Sequence, residues 1–172
     1  MHPDLKPHIS ITSDWPKPGI ITYDVAPVFK DATLFKTTID ALSEPYTGKH
    51  IKYVVGIEAR GFVLASALAH KLGVGVILIR KKGKTPPPTI TQEYSYEYAS
   101  HVIEISKRAL EPQDQVIVVD DILATGGTMA AAVKLLKQCK AEIVGISCII
   151  EMEHMDGRSR LPGQDIHSLV TY

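Results

Sequence analysis

The chain has 172 residues, enough for one globular unit with a sizeable core and too few for two full ones. Nineteen lysines and arginines balance nineteen aspartates and glutamates, so no overall field favours nucleic acid or an acidic membrane, and any basic function must be local. The N-terminal MHPDLKPHISITSDWPKPG lacks the apolar run of a signal peptide and no segment reaches the length of a membrane span, so a cytoplasmic protein is expected.

Residues 1 to 30 are rich in proline and polar side chains, with IIT at 20 to 22 as a candidate short strand. Asp31 is placed to cap a helix over about 32 to 43, where Leu34, Phe35, Thr38, Ile39 and Leu42 recur at helical spacing until Pro45. KYVVGI at 52 to 57 reads as a buried strand, EARG as a turn, and Leu64, Ala65, Leu68, Ala69 and Leu72 as one face of a second helix. VGVILI at 74 to 79 is apolar on both faces, as strands of a helix-covered parallel sheet are. The βαβ pattern then repeats: VIVVDD at 116 to 121, a helix with Met129, Ala132, Val133 and Leu136 on one face, and EIVGISCII at 142 to 150. Two such units predict an α/β fold, a mostly parallel sheet flanked by helices on both faces.

Between the units, residues 80 to 105 start with the cations of RKKGK, pass three consecutive prolines and end in alternation, with Tyr94, Tyr96 and Tyr98 on one side. We expect a long excursion ending in an antiparallel strand pair; excursions of this length are usually functional. Cys139 and Cys148 form no CxxC, and the seven histidines show no metal-binding spacing, which argues against a disulfide framework or a structural zinc site.

The stretch VIVVDDILATGGT at 116 to 128 carries the chemistry. It lies at the carboxyl end of a strand, where open α/β sheets bind ligands. It lacks the lysine of GxxxxGK[ST] and the spacing of GxGxxG, which excludes the usual dinucleotide-binding oxidoreductase. Gly126 and Gly127 still permit close backbone approach, Thr125 and Thr128 offer hydroxyls, and the following helix presents open amides to an anion. Asp120 and Asp121 would repel a phosphate, so they need hydroxyls, a developing positive charge or magnesium on the same ligand. A phosphorylated ribose meets both requirements.

The same stretch resembles the phosphoribosyl pyrophosphate (PRPP) signature of type I phosphoribosyltransferases. GIEARGF at 56 to 62, IRKKGKTP at 79 to 86, EYSYEY at 93 to 98 and WPKPGI at 15 to 20 are similar, in order and spacing, to the adenine-specific members of that family. The similarity runs from about Asp14 to Leu161. It implies a single domain over 1 to 172, with an N-terminal hood over 1 to 45 and a mobile active-site loop over 80 to 105. The implied substrates are adenine and PRPP, the products AMP and pyrophosphate, the cofactor Mg2+, and the assembly a homodimer.

Residue roles follow from the resemblance. Ala124, Thr125, Gly126, Gly127 and Thr128 would take the 5-phosphate. Ala59, Arg60, Gly61, Arg80, Lys81 and Lys84 would take the pyrophosphate. Asp120 and Asp121 would hold the ribose hydroxyls directly or through the metal's waters, with no direct protein ligand to Mg2+. Glu97 would manage the purine proton, and Arg60 belongs with these catalytic groups. Where the family has an aromatic residue and arginine before Asp24, this chain has Thr22 and Tyr23. Base binding would then fall to the backbone at Ile21 and Tyr23 and to Met152. Another purine base, or a PRPP-binding regulator without transfer, are the alternatives; Arg60, Lys84 and Glu97 favour catalysis.

Overall fold

The computed structural model describes residues 4–96 and 99–172, with side chains described outside 95–100. A short antiparallel hairpin, β1 (Ser10–Ser13) with β2 (Ile21–Asp24), precedes α1 (Ala26–Lys30) and α2 (Ala32–Ser43). α2 starts at the expected cap: the Asp31 carboxylate accepts the Leu34 N–H at 2.8 Å, satisfying a donor that the first turn leaves open. It gives way to the 3-10 turn Glu44–Tyr46, where Pro45 has no amide to extend the helix.

The remainder forms β3 (Tyr53–Ile57), α3 (Arg60–Leu72), β4 (Gly75–Lys81), β5 (Thr89–Tyr96), β6 (Ala99–Ser106), β7 (Gln115–Leu123), α4 (Gly127–Gln138), β8 (Glu142–Glu151) and β9 (Ile166–Thr171). They build one sheet in the order β5-β6-β4-β3-β7-β8-β9. β4, β3, β7, β8 and β9 run parallel, and β6 and β5 extend the β4 edge antiparallel. The 80–105 excursion thus becomes largely a regular hairpin, as its alternation predicted.

Alternation along the central strand divides the core. Val116 and Val118 face α4, packing with Met129, Ala132 and Leu136, while Ile117 and Val119 face α2 and α3, packing with Ile39, Leu42, Leu64 and Leu68. Each fully buried side chain of this size is worth about 1.5–3 kcal/mol. That two-sided demand explains why VIVV shows no period.

Two expectations need correction. β4 is not covered on both faces: Val76 and Leu78, in register with Val54 and Gly56, are 39% and 41% exposed. α3 packs chiefly over β3 and β7 and less over β4, leaving these two side chains partly uncovered. The turn expected over EARG is shorter, because Arg60 already opens α3 with Ala59 as its cap. β1, α1 and β9 had no clear signal; β9, IHSLVT, is a half-buried edge strand whose polar residues break any apolar run.

The topology locates a site. From β3 the chain crosses to β4 on one side, whereas from β7 it crosses to β8 on the other. β3 and β7 are paired neighbours, with Gly56 opposite Val119. Their carboxyl ends therefore flank the crevice that a reversal of strand order opens in an open α/β sheet.

Candidate active site

At that crevice lies a cavity of about 200 Å³, lined by Arg60, Asp120, Asp121 and the run from Ile122 to Met129. Gly126 caps α4 with φ +75°, a left-handed conformation that costs a side-chain-bearing residue energy. α4 starts at Gly127, so the unpaired amides of its first turn and the positive end of its dipole lie at the loop. The loop is also braced from behind. A Cβ on Gly126 would fall 2.3 Å from the Gly157 carbonyl oxygen, and one on Gly157 would fall 2.2 Å from the Ala124 carbonyl oxygen. Two backbones meet here with no room for a methyl group on either side. Gly157 was not singled out from sequence; the Asp156-Gly157 dipeptide, a turn signal, is its trace.

The Gly157 segment is itself fastened. Arg158 forks onto Glu151, with Nη2 donating to Oε2 at 2.7 Å, and the Ser168 hydroxyl donates to the same oxygen at 2.6 Å. The Met152 amide donates to the Leu123 carbonyl at 2.9 Å.

The two aspartates differ. Asp121 is buried, at 5% exposure, and is ion-paired with the Arg60 side chain. Asp120 is half-buried and its Oδ1 accepts the Asp121 amide at 2.9 Å. Burial first, and the Asp121 charge second, push the Asp120 carboxyl well above the ordinary range; the Asp121 amide and Arg60 only partly offset this. For Arg60, burial works against the charge, but the charge and hydrogen bond of Asp121 outweigh it and hold the guanidinium above its usual value. Asp120 and Asp24 add to that field, so the carboxylate at the end of β2 acts on the same arginine. Gly61 is needed beside this group, since a Cβ there would lie 3.1 Å from Asp120 Oδ1 and 2.9 Å from the Val119 carbonyl. Arg60, Asp120, Asp121 and residues 124–128 are therefore brought together, with Ala59 and Gly61 flanking Arg60.

The other candidates among the described residues do not line this cavity. Arg80 turns back on its own loop: Nη1 donates to the Lys84 carbonyl at 2.6 Å, and Nε lies 3.8 Å from Glu58. Lys81, the last residue of β4, and Lys84, on the turn that follows, are exposed. Ile21 is 55% exposed, and the Tyr23 ring packs on Tyr172 with centroids 4.6 Å apart. The Thr22 hydroxyl, at the position where the aromatic was expected, donates to the Trp15 carbonyl at 2.6 Å. Met152 is buried. Tyr94, from β5, reaches the loop: the Thr128 hydroxyl donates to its phenol oxygen at 3.4 Å. Glu97 and Tyr98 lie outside the described residues.

A glycine loop joining a strand end to a helix start, paired carboxylates and an opposing arginine at a strand-order reversal are what a sugar-phosphate transfer site requires. Consistently, residues 30–166 match the family model described as a phosphoribosyl transferase domain. The adenine phosphoribosyltransferase of Acidobacterium capsulatum is 45% identical over 168 residues, covering 98% of this chain and 93% of that one. The crystal structure of the Rhodothermus marinus adenine phosphoribosyltransferase superposes with a TM-score of 0.93 at 41% identity, covering 98% of this chain and 96% of that one. The Saccharomyces cerevisiae enzyme, solved with an imino-altritol bisphosphate and adenine, gives 0.92 at 37% identity and 97% coverage of both chains. The chain belongs to the adenine phosphoribosyltransferase family.

Proposed function

We propose that this protein transfers the phosphoribosyl group of PRPP to adenine, giving AMP and pyrophosphate in purine salvage. The observation that carries the reading is the joining of a phosphate loop and two unlike carboxylates in one cavity at the strand-order reversal. In this reading residues 124–128 hold the 5-phosphate by backbone amides and hydroxyls. Asp120 and Asp121 hold the ribose hydroxyls and favour the positive charge that grows on the ring as the C1–O bond to pyrophosphate breaks. Arg60, kept charged by Asp121, faces the departing pyrophosphate with Ala59 and Gly61, and Lys81, Lys84 and Arg80 add positive charge beyond it. The C1–N9 bond forms as adenine loses its N9 proton, for which Glu97 is the assigned base. Ile21, Tyr23 and Met152 belong to the base-binding side.

Asp120 fits a divalent ion: a half-buried carboxyl burdened by a neighbouring charge gains from a cation close by. Among the described residues no three histidine, cysteine or acidic side chains cluster as metal ligands; in this reading the ion arrives with PRPP and its waters. Magnesium, when bound, supplies charge neutralisation of the pyrophosphate.

The uncovered apolar residues Val76 and Leu78 on β4, with Val63 exposed on α3, support a homodimer. The chain is read as one domain with residues 1–45 as hood. Among the described residues no helix is long and apolar enough to cross a membrane, in keeping with a cytoplasmic role.

The test is incubation of purified protein with PRPP and magnesium against adenine, hypoxanthine, guanine and xanthine separately. AMP from adenine alone is expected. Product only from another base would move the substrate, and PRPP binding with no product would favour a regulator. Glu97→Gln should slow turnover by ~10²-fold or more with PRPP affinity nearly unchanged; an equal loss of PRPP affinity would reassign it to binding.

A further inference from the structure

Three lysines stand within four residues where β4 ends and turns, Lys81 as its last residue and Lys82 and Lys84 beyond it, and none of their ammonium groups has an ion-pair partner among the described residues. Such a turn repels itself and, free in solution, would disperse its charges. Its backbone is instead pinned. The Lys84 amide donates to the Lys81 carbonyl at 3.2 Å across Gly83, whose φ is +83°. The Lys82 amide donates to the Val102 carbonyl at 2.9 Å, and the Lys81 amide to Glu58 Oε2 at 2.8 Å. At the centre lies Glu104 of β6, 3% exposed, whose Oε1 accepts the amides of Lys84 at 2.9 Å and Thr85 at 2.7 Å.

Glu104 stands opposite Arg80 on β4 and Thr91 on β5, so it sits where the hairpin joins the parallel sheet. Burial pushes its carboxyl up, but the amides of Thr85, Gly83 and Lys84 together outweigh burial and hold it below the usual value. It is therefore an anion held by backbone amides. A carboxylate placed to neutralise lysines would pair with an ammonium group. This one takes the amides, keeps the turn from opening, and leaves the ammonium groups for an anion from outside.

We propose that Glu104 is a positioning residue for the reaction: it fixes the Lys81–Thr85 backbone so that the turn's ammonium groups converge on the pyrophosphate end of PRPP. The inference rests on the functional reading above, and it adds a residue that touches neither substrate. Charge presented on a fixed frame loses less entropy on binding than charge on a wandering loop.

The test compares Glu104→Leu, which removes the acceptor, with Glu104→Gln, which keeps an acceptor oxygen. Glu104→Leu should raise KM for PRPP, and the dissociation constant of magnesium pyrophosphate measured by titration calorimetry, by about tenfold or more in parallel. KM for adenine should stay within about twofold, and Glu104→Gln should recover most of the loss. Equal rises in both KM values, or a lowered Tm with unchanged constants for the folded fraction, would reduce Glu104 to a structural anchor and overturn the proposal; unchanged constants at unchanged Tm would overturn it as well. If Glu104→Leu does not fold, Glu104→Gln decides alone: a rise of about two- to fivefold confined to PRPP and pyrophosphate supports the proposal, and wild-type constants overturn it. Absence of AMP formation by the wild-type protein would count against the adenine reading instead, while pyrophosphate calorimetry would still test Glu104.

Discussion

Two regions of this protein that the proposed function assigns to anions are built by opposite means. The loop at 124–128 is nearly uncharged. It relies on a left-handed glycine, the start of α4 and a second backbone pressed against it at Gly157, so it offers a fixed set of donors. The turn at 81–85 relies on lysine charge, and its shape comes from carboxylates, Glu104 and Glu58, that take its amides. In the proposed function a phosphate of constant size would suit the first, because fixed dipoles need no reorganisation. A leaving group that must depart would suit the second, because the pull of exposed cations is weakened by water and salt.

This contrast orders the predictions. Gly126→Ala should be the most damaging, since it adds a methyl 2.3 Å from the Gly157 oxygen at a positive φ. A shift of about 1 Å in such a frame costs about 10²-fold, so kcat/KM for PRPP should fall at least that far, with KM for adenine much less affected. Steady-state kinetics checks this, and a mild effect would show that the loop is not rigid. Next, Asp121→Asn keeps the shape but leaves Arg60 unpaired, and kcat/KM should fall by about 10²-fold while circular dichroism shows the fold retained. Unaltered kinetics would remove that carboxylate from the mechanism.

Lys84→Ala should cost less than about tenfold in KM for PRPP, and the penalty should shrink between about 0.05 M and about 0.5 M salt, since an exposed charge is screened. A penalty indifferent to salt would make the turn a rigid site like the first.

Glu151→Gln should act mostly on stability. Arg158 first, then the Ser168 hydroxyl against the cost of burial, hold the Glu151 carboxyl below its ordinary value. Its stabilising effect is therefore complete above the unfolded carboxylate range and is lost as pH falls through the lowered folded value. At neutral pH the variant should melt about 2–4 °C lower, limited by the exposure of the Arg158 side chain. The difference should close as pH falls below the ordinary carboxylate range and through the lowered folded value, as thermal melts at successively lower pH would show.

Much of this architecture was readable from sequence because its causes are local. Apolar runs marked the strands, Asp31 marked the start of α2, and VVDDILATGGT held the whole glycine loop after β7 within one stretch. What escaped the reading depends on partners far along the chain. Glu104 looks like any charged residue in an alternating strand until the 82–85 turn folds over it. Gly157 is an ordinary turn glycine until Gly126, 31 positions earlier, lies against its carbonyl oxygen.

The uncovered side of β4 escaped for a similar reason. VGVILI reads as buried whether a helix of the same chain or another molecule covers it, because hydrophobic pattern records that cover is needed and not what supplies it.

By itself, then, the amino-acid order determined the α/β class, the two βαβ units and the chemical character of the loop after β7, since strand period, capping and glycine placement act over a few residues. Only the tertiary structure decided that Arg60 faces Asp121, that Gly157 closes the loop from behind and that Glu104 carries the cationic turn, because each depends on strand order and sheet register bringing distant backbone into contact.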